Sequence, residues 1–271
     1  MLLRFEATNG GAKFSEIADE VILLDIIEQP AEVDIQKSRL AGGAGMRVSS
    51  VTRTSLTVNL VYVIRTQDPV RRAFLRDKVA QWALQASHLE VSTRPGKYLS
   101  AVPYIAPAQD SSLKWTQELT LTMTAYDVPY WRDSDVTSAS YTTNDFVFIG
   151  GHAITPTGAD TAIPISCIIT TLDEQTLTDV EVGVGNTKIV LSGLDVKTGF
   201  VDGWYSEGNV AILCDDGHNM RIGSLSGVSY LKHRTPESDD VLLAQQNIRN
   251  VIYCKANVPC SITFSWNGWW V

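Results

Sequence analysis

The chain has 271 residues and a mass of 29.7 kDa, and its 44% hydrophobic and 19% charged residues exclude an intrinsically disordered protein. Its formal net charge of −8 argues against a general nucleic-acid binder, which presents a basic face to phosphate. No apolar run approaches the roughly 18 residues of a membrane span, and the first residues lack the features of a secretory signal. We expect a protein without membrane insertion, made in a reducing cytoplasm and long enough for two domains.

The distribution of charge indicates where the two domains meet. Residues 1–133 carry 15 Lys and Arg against 15 Asp and Glu, whereas residues 134–271 carry 7 against 15. The stretch 133–145 is rich in Ser, Thr and Asp, which is the composition of a linker or at most of a lone edge strand. We therefore predict one domain over residues 1–133 and a second over residues 134–271.

A glycine-rich segment lies between Arg39 and Thr54. Neither the GxxxxGK[ST] nor the GxGxxG spacing of a phosphate-binding loop occurs there, and the sequence that follows indicates a strand rather than a helix. The segment is predicted to be a mobile loop or a bent hairpin arm that joins two strands.

One strand and one long helix follow. Residues 56–65 alternate between an apolar face and a mixed face, which predicts a strand. Asp68 and Pro69 then suit the N-cap and the first position of a helix. One apolar stripe predicts an amphipathic helix of about five turns, and its members are Leu75, Val79, Trp82, Ala83 and Ala86.

Two further strand signals complete the first half. Residues 89–93 and 97–102 flank Arg94-Pro95-Gly96, a turn sequence that predicts a hairpin. Residues 113–125 alternate strictly, with apolar residues on one side and mostly threonines on the other. The threonine face suits either a solvated surface or a contact with another subunit.

The second half is predicted to be β throughout. Short apolar segments alternate with turn formers such as Gly185-Asn186, which fits a two-residue hairpin turn. This spacing predicts an antiparallel β-sandwich. The predicted strands are Phe146–Ile149, Ile163–Thr170, Thr178–Val184, Thr187–Leu191, Val210–Cys214, Val228–Leu231, Asn250–Lys255 and Ser261–Trp266.

No motif for chemistry emerges. The four histidines lie in no HExxH motif, no GxSxG motif occurs, and the adjacent acidic pairs sit in turn-like stretches. The four cysteines have no common zinc spacing, and we expect them to be buried free thiols rather than two disulfides. We expect no catalytic residue, no metal and no cofactor, and therefore not an enzyme.

Three tryptophans crowd the C-terminal sequence Trp266-Asn-Gly-Trp-Trp270. Packing against the core or between domains is the first interpretation, a subunit contact the second, and a sugar-stacking platform the third. In the sugar interpretation the candidates are Trp204, Trp269 and Trp270.

The order of these features resembles the distal tail protein (Dit) family of long-tailed, non-contractile phages and their prophages. The resemblance rests on the glycine-rich segment, the strand that runs into Asp68-Pro69, the single helix, the Arg94-Pro95-Gly96-Lys97 turn, a Trp115-led strand and Val128-Pro129-Tyr130-Trp131. An all-β half that begins near residue 155 follows them.

This resemblance implies a structural virion protein of the tail tip. Residues 1–133 would form a β-sandwich with one helix and an extended arm, and six copies would build a hexameric ring. Residues 134–271 would form an outward, galectin-like β-sandwich. By position, Gly42, Gly43, Gly45, Met46 and Arg47 are the candidates for an arm that clasps the neighbouring copy.

The resemblance also implies the partners. The ring would join the tail tube protein to tail-tip, baseplate and receptor-binding proteins, with DNA only as passing cargo; whether rings also stack stays open. Two other classes of function remain as alternatives: a carbohydrate-binding module for host cell-wall glycan, and a tail-tip hydrolase, against which the histidines and carboxylates argue.

Overall fold

The computed structural model describes residues 5–39, 46–85, 88–104, 118–142, 148–172, 175–201, 204–207, 209–214, 220–222 and 230–271. These residues divide into two compact units, Met1–Ser134 and Asp135–Val271. Paired strands are antiparallel throughout the described residues, and the fold is mainly β, as the sequence predicts. None of the described helices is long and apolar enough to cross a membrane.

The first unit contains two sheets, one long helix, α1 (Pro69–Leu84), and a 3₁₀ turn at Phe14–Glu16. Within the described residues its strands are β1 (Ala7–Asn9), β2 (Ala12–Lys13), β3 (Val21–Glu28), β4 (Glu32–Arg39), β5 (Met46–Ile64), β6 (His88–Val91), β7 (Lys97–Ser100), β8 (Val102–Tyr104), β9 (Glu118–Ala125) and β10 (Trp131–Asp133). Within this unit the strands of the first sheet have the order β2-β1-β6-β7-β10. The second sheet has the order β3-β5-β9-β8, and β4 pairs with the part of β5 that extends beyond this sheet.

Helix α1 begins where the sequence predicts. The Asp68 carboxylate accepts a hydrogen bond of 2.9 Å from the backbone N–H of Val70, and Pro69 occupies the first turn, where its missing N–H leaves no bond unmade. The described part of the predicted stripe, Leu75 to Ala83, is buried. The helix ends at Leu84 rather than Ala86, which lies outside the described residues.

A buried asparagine caps the other end of α1. The side-chain amide of Asn9 donates to the carbonyl oxygens of Trp82 and Ala83, at 2.8 and 3.1 Å. These carbonyls belong to the last turn, which has no partners within the helix. The Trp82 ring packs edge-on against Phe14, and its indole N–H donates to the carbonyl of Ala12. The helix is thereby fixed to the first sheet.

The predicted strand at residues 56–65 is confirmed as the C-terminal half of β5. Its predicted apolar face, from Leu56 to Ile64, is buried at every second residue. The opposite face pairs polar side chains with β9: Thr57 with Thr124 at 3.1 Å, and Asn59 with Thr122 at 2.9 Å. Residues 113–117 of the predicted β9 segment lie outside the described residues.

The predicted hairpin is also present, with one correction. Strands β6 and β7 pair around the turn, where Gly96 takes a φ of +73°. The return strand ends at Ser100, however, and Val102 belongs to β8, which pairs with β9 in the other sheet. Ala101 lies between β7 and β8 and is buried. The chain passes from one sheet to the other at this small residue, so the return strand of the hairpin does not extend to Val102.

The described strands of the second unit are β11 (Thr137–Thr142), β12 (Phe148–Ile154), β13 (Ala162–Pro164), β14 (Ser166–Thr171), β15 (Val180–Val184), β16 (Thr187–Leu191), β17 (Thr198–Val201), β18 (Trp204–Glu207), β19 (Asn209–Ile212), β20 (Met220–Ile222), β21 (Leu243–Gln245), β22 (Asn250–Ala256), β23 (Cys260–Trp266) and β24 (Trp269–Trp270). They form two larger sheets, with the orders β11-β23-β14-β19-β20 and β12-β22-β15-β16, and the two-stranded pairs β13-β21 and β17-β18.

Two segments of this half need comment. Of the two alternatives for residues 133–145, a linker or a lone edge strand, residues 137–142 form the edge strand, β11, which pairs with all of β23 except its first residue. The predicted strand at Val228–Leu231 is replaced, in its described part, by a short helix, α2 (Tyr230–His233). The chain after α2 then runs along β16, because the N–H groups of Thr235 and Asp239 bond to β16 carbonyls. This segment covers the sheet edge without forming a strand of its own.

The inward side chains of the two larger sheets form one hydrophobic core. It includes Ile169 and Phe264 from one sheet and Val182 and Ile252 from the other, all fully buried. The four cysteines also lie in this core as free thiols, as predicted, and burial raises the pKa of the Cys167 thiol. The two sheets therefore form the predicted antiparallel sandwich.

A glycine on the outer side of this sandwich lies beneath an aromatic ring. Gly183 on β15 pairs with Tyr253 on β22, and a Cβ added to Gly183 would lie 1.9 Å from the Tyr253 ring. The Tyr253 hydroxyl donates to the Glu181 carboxylate at 2.8 Å. Burial and this hydrogen bond raise the pKa of Tyr253 to about 12. The ring is thus held over the glycine by its own hydroxyl.

We predict that Gly183→Ala lowers the free energy of unfolding by about 1 to 2 kcal/mol, because the new methyl group forces the ring away and breaks the bond to Glu181. Urea denaturation measures the change. Tyr253→Ala serves as the partner variant: in the double variant the added methyl group meets no ring, so the penalty of Gly183→Ala should largely disappear. An equal penalty in both backgrounds would contradict this explanation.

Candidate functional site: an exposed hairpin arm

Strand β5 is much longer than its sheet, and its excess length builds a separate hairpin. Its C-terminal part pairs with β3 and β9, whereas residues 46–55 pair with β4. We define the arm as residues 32–39 and 46–55; the residues that join its two strands lie outside the description. Two-stranded hairpins are marginally stable alone in water, so a hairpin of this length is expected to need a surface to rest on.

One face of the arm carries its large apolar side chains together with three basic ones, and we call it the apolar face; the opposite face is polar. Cross-strand partners lie on the same face of a hairpin, so the apolar face is formed by the pairs Val33 with Arg53, Ile35 with Val51, Lys37 with Val48 and Arg39 with Met46. The opposite face carries the pairs Asp34 with Thr52, Gln36 with Ser50 and Ser38 with Arg47. A register shift between Gln36 and Lys37 keeps the apolar residues in line, and the Ser49 hydroxyl there donates to the Gln36 carbonyl.

The apolar face of the arm is open to solvent. Its five large apolar side chains, Val33, Ile35, Met46, Val48 and Val51, are between 42% and 69% exposed. Exposed large apolar side chains that are clustered in this way mark interaction sites in soluble proteins. By contrast the C-terminal half of the same strand is buried at Val58 and Leu60. The buried part of β5 begins at Ser55 and Leu56.

Polar contacts stabilise the root of the arm, which is the part around the paired residues Glu32 and Ser55. The Ser55 hydroxyl donates to the Glu32 carboxylate at 2.9 Å, and the backbone N–H of Gln29 donates to the Thr57 carbonyl. The Arg53 guanidinium lies 4.9 Å from the centre of the Tyr130 ring. These contacts fix the direction in which the arm leaves the unit.

A partly buried ion pair supports this root from below. Arg94 donates to both carboxylate oxygens of Glu28, the last residue of β3, with distances of 2.8 to 3.2 Å. The same guanidinium lies 5.7 Å from the centre of the fully buried Trp131 ring. The Arg94 turn and the Trp131 segment are therefore joined at the point where β3 leads into the arm.

Two of the five predicted arm residues, Met46 and Arg47, lie at the end of the described hairpin that is farthest from the sheet. Met46 and Arg47 begin β5, both exposed, with Met46 on the apolar face and Arg47 on the polar face. Gly42, Gly43 and Gly45 lie outside the described residues. The segment predicted as a loop or bent hairpin arm, between Arg39 and Thr54, includes most of the second strand of the arm but not the first strand at residues 32–38. Alternation of Val33, Ile35 and Lys37 with polar neighbours was the available signal.

The candidate sugar-binding tryptophans are not brought together by any described contact. The side chain of Trp204 lies outside the description. Trp269 packs against the core of the second unit; its backbone N–H donates to the Gln246 side chain, and its carbonyl accepts from Ala159. Trp270 is half-buried. A sugar site at these residues stays a prediction. Within the described part of the chain, no group of three or more His, Cys, Asp or Glu side chains is placed to hold a metal ion.

The comparison with solved structures gives matches over the whole chain. The crystal structure of the Dit protein of phage SPP1, described as a paradigm of the hub adsorption apparatus in Gram-positive infecting phages, matches with a TM-score of 0.68 and 12% identity. The match covers 98% of this chain and 99% of the SPP1 chain. No protein-family model and no curated protein sequence matches the chain.

A second match comes from the phage P2 baseplate in its activated conformation with Ca, with a TM-score of 0.50, 10% identity and coverage of 99% of this chain and 98% of the other. The chain is therefore a two-unit β protein with the Dit fold. The resemblance identified in the sequence is confirmed at the level of the fold.

We predict that Arg94→Ala destabilises the protein by about 1 to 2 kcal/mol, because it leaves the half-buried Glu28 carboxylate without its main partner. Chemical denaturation followed by tryptophan fluorescence measures the effect. Arg65→Ala is the control, since it removes an exposed arginine at the end of β5 and should change stability by less than about 0.5 kcal/mol. Equal effects of the two substitutions would show that the Glu28 pair does not support the root.

Proposed function

We propose that this chain is a structural virion protein, the distal hub of a phage tail, which closes into a hexameric ring. The observation that carries the proposal is the unpartnered apolar face of the arm, on a chain whose full length shares the fold of the SPP1 Dit protein. The ring connects the tail tube to the tail-tip or baseplate proteins, including those that bind the receptor. The protein then resides at the tail tip of the virion, and DNA only passes through the ring.

The arm supplies what a closed ring requires. Each copy in a head-to-tail ring needs two different surfaces, one that reaches forward and one that receives. An arm with a fixed root and an exposed apolar face serves as the forward surface, because docking on the next copy removes its apolar side chains from water. In this proposal the arm clasps the neighbouring copy, and the described strands 32–39 and 46–55 provide the contact rather than the glycine-rich tip alone.

The charge distribution favours assembly through the first unit. That unit is electrically neutral by formal count, whereas the second unit carries the whole net charge of −8. Six copies joined through the first unit keep the net negative charge of the second unit out of each contact. We propose that the acidic, galectin-like second unit faces outward, where solvent and salt screen its charge.

Substitution of one cross-strand pair tests the proposal. Purified protein should form six-fold rings in negative-stain images, with a mass of six copies, about 178 kDa, or a multiple of it. In the variant Ile35→Lys/Val51→Lys, two ammonium groups replace the centre of the apolar face. Because charged groups resist transfer out of water, we expect the rings to be lost and the mass from light scattering to fall below six copies.

The matched control lies one position further along the same hairpin. Gln36→Lys/Ser50→Lys adds the same two charges to a neighbouring cross-strand pair on the polar face, and the rings should survive. Wild-type protein that stays monomeric at high concentration would overturn the proposal. An equal loss of rings in both variants would show that the apolar face is not the contact.

A further inference from the structure

The buried cysteines of the second unit have no part in the proposed assembly. Two of them lie on consecutive strands that belong to different sheets: Cys254 is on β22, and Cys260 is the first residue of β23. Both side chains lie in the core between the sheets and are at most 1% exposed. Only five residues separate them, so the chain crosses from one sheet to the other between the two thiols.

The crossing at residues 257–259 is fixed by hydrogen bonds on both sides. The Asn257 side chain accepts from the backbone N–H groups of Thr178 and Asp179, at 2.9 and 3.1 Å, directly before β15. On the other side the Pro259 carbonyl accepts from the N–H of Leu172, directly after β14. The last residues of β22 and the first of β23 are therefore held close together at this end of the sandwich.

The two thiols meet inside this closed end. The Cys254 and Cys260 side chains share a hydrogen bond, which places the two sulfur atoms in contact. The other two cysteines are arranged differently: Cys167 lies on β14, and Cys214 follows β19, its neighbour in the same sheet. A bond between Cys254 and Cys260 would join two sheets, whereas a bond between Cys167 and Cys214 would only connect strands that already pair.

We propose that Cys254 and Cys260 are a latent disulfide, which stays reduced in the cytoplasm where the chain is made and forms when the chain meets an oxidising solvent. One thiolate attacks a small disulfide, such as oxidised glutathione, and releases one reduced glutathione. The second thiolate then attacks the protein sulfur of the mixed disulfide and releases the other. The two protein thiols lose two electrons and two protons, and the glutathione disulfide takes up both.

The surroundings of the pair keep it reduced until the core opens. The neighbouring Cys260 thiol and burial raise the pKa of the Cys254 thiol well above its usual range, because both favour its protonated form. Only a thiolate attacks a disulfide, and an oxidant in solution does not reach side chains that are at most 1% exposed. Oxidation should therefore follow the transient opening of the second unit.

The disulfide would make the sandwich harder to open. It closes a loop of seven residues and ties the two sheets together where the chain crosses between them. A cross-link of this kind removes conformations from the unfolded chain. We expect oxidation to raise the midpoint of thermal unfolding of the second unit by about 5 °C.

Peptide mapping of the full chain tests the proposal. The protein is incubated with oxidised glutathione in urea below its unfolding transition, then denatured, alkylated and digested with trypsin without reduction. Lys255 separates the two cysteines, so the disulfide joins the tryptic peptides 250–255 and 256–271, while Cys167 and Cys214 lie in two other peptides. We expect this linked pair of peptides, with Cys167 and Cys214 alkylated, and its loss on treatment with dithiothreitol.

Cys254→Ala and Cys214→Ala are a matched pair of variants. Each removes one thiol that is at most 2% exposed from the same core, but only Cys254→Ala removes the proposed bond. Oxidation should raise the unfolding midpoint of wild type and Cys214→Ala, and should leave that of Cys254→Ala unchanged. Four alkylated cysteines in oxidised wild type, a link between Cys167 and Cys214 instead, or an equal rise in both variants would overturn the proposal.

The disulfide forms within one copy of the chain and does not involve the arm. Alkylation and peptide mapping report the bond, whereas images and light scattering report the ring. Absence of rings therefore leaves the expected peptide link unchanged, and absence of the link leaves the expected rings unchanged.

Discussion

The feature on which the rest of this structure depends is the continuity of strand β5. The C-terminal half lies at the centre of a sheet, between β3 and β9, and buries Val58, Leu60 and Ile64. The N-terminal half leaves that sheet with only β4 beside it. Because one unbroken strand belongs to both parts, the direction of the arm is set by the core. An apolar surface is thereby held away from the body of the unit, in a fixed orientation.

This arrangement explains why exposed apolar residues are tolerated on the arm. A monomeric protein gains nothing from five half-exposed large apolar side chains on an unsupported hairpin, and such a surface invites aggregation. In the proposed ring, burial of these side chains against the neighbouring copy would drive association. The polar contacts at the root, from Ser55 and Arg53, then limit how far the arm swings and lower the entropy lost on docking.

The two units differ in net charge and in the kind of surface that they expose. The first is neutral and offers an apolar surface, whereas the second is acidic and offers a backbone edge that is free of charge. Burial of apolar area and pairing of backbone groups depend differently on charge and geometry.

Local patterns in the sequence were sufficient for the elements whose neighbours are close along the chain. Helix α1 follows from its N-cap and apolar stripe, the β6–β7 and β15–β16 turns follow from glycine positions, and the buried face of β5 follows from alternation. The charge step at residue 133 lies one residue from the division between the units. The resemblance to the Dit family rested on the order of these same elements.

The candidate site depends on long-range pairing, which the local alternation of Val33, Ile35 and Lys37 indicates only in part. Residues 32–39 read as a charged and mixed segment, and only their pairing with β5 shows that Val33 and Ile35 share a face with Val48 and Val51. Residues 137–142 have the composition of a linker, yet β23, more than 100 residues away, makes them an edge strand. Strand partners are selected by long-range packing and main-chain bonding, which periodicity cannot reveal. The sequence by itself determined helix α1, the tight turns and the strands with regular alternation, because these depend on neighbours along the chain. The tertiary structure decided how distant strands pair and which faces of the described strands stay exposed, because pairing depends on long-range packing.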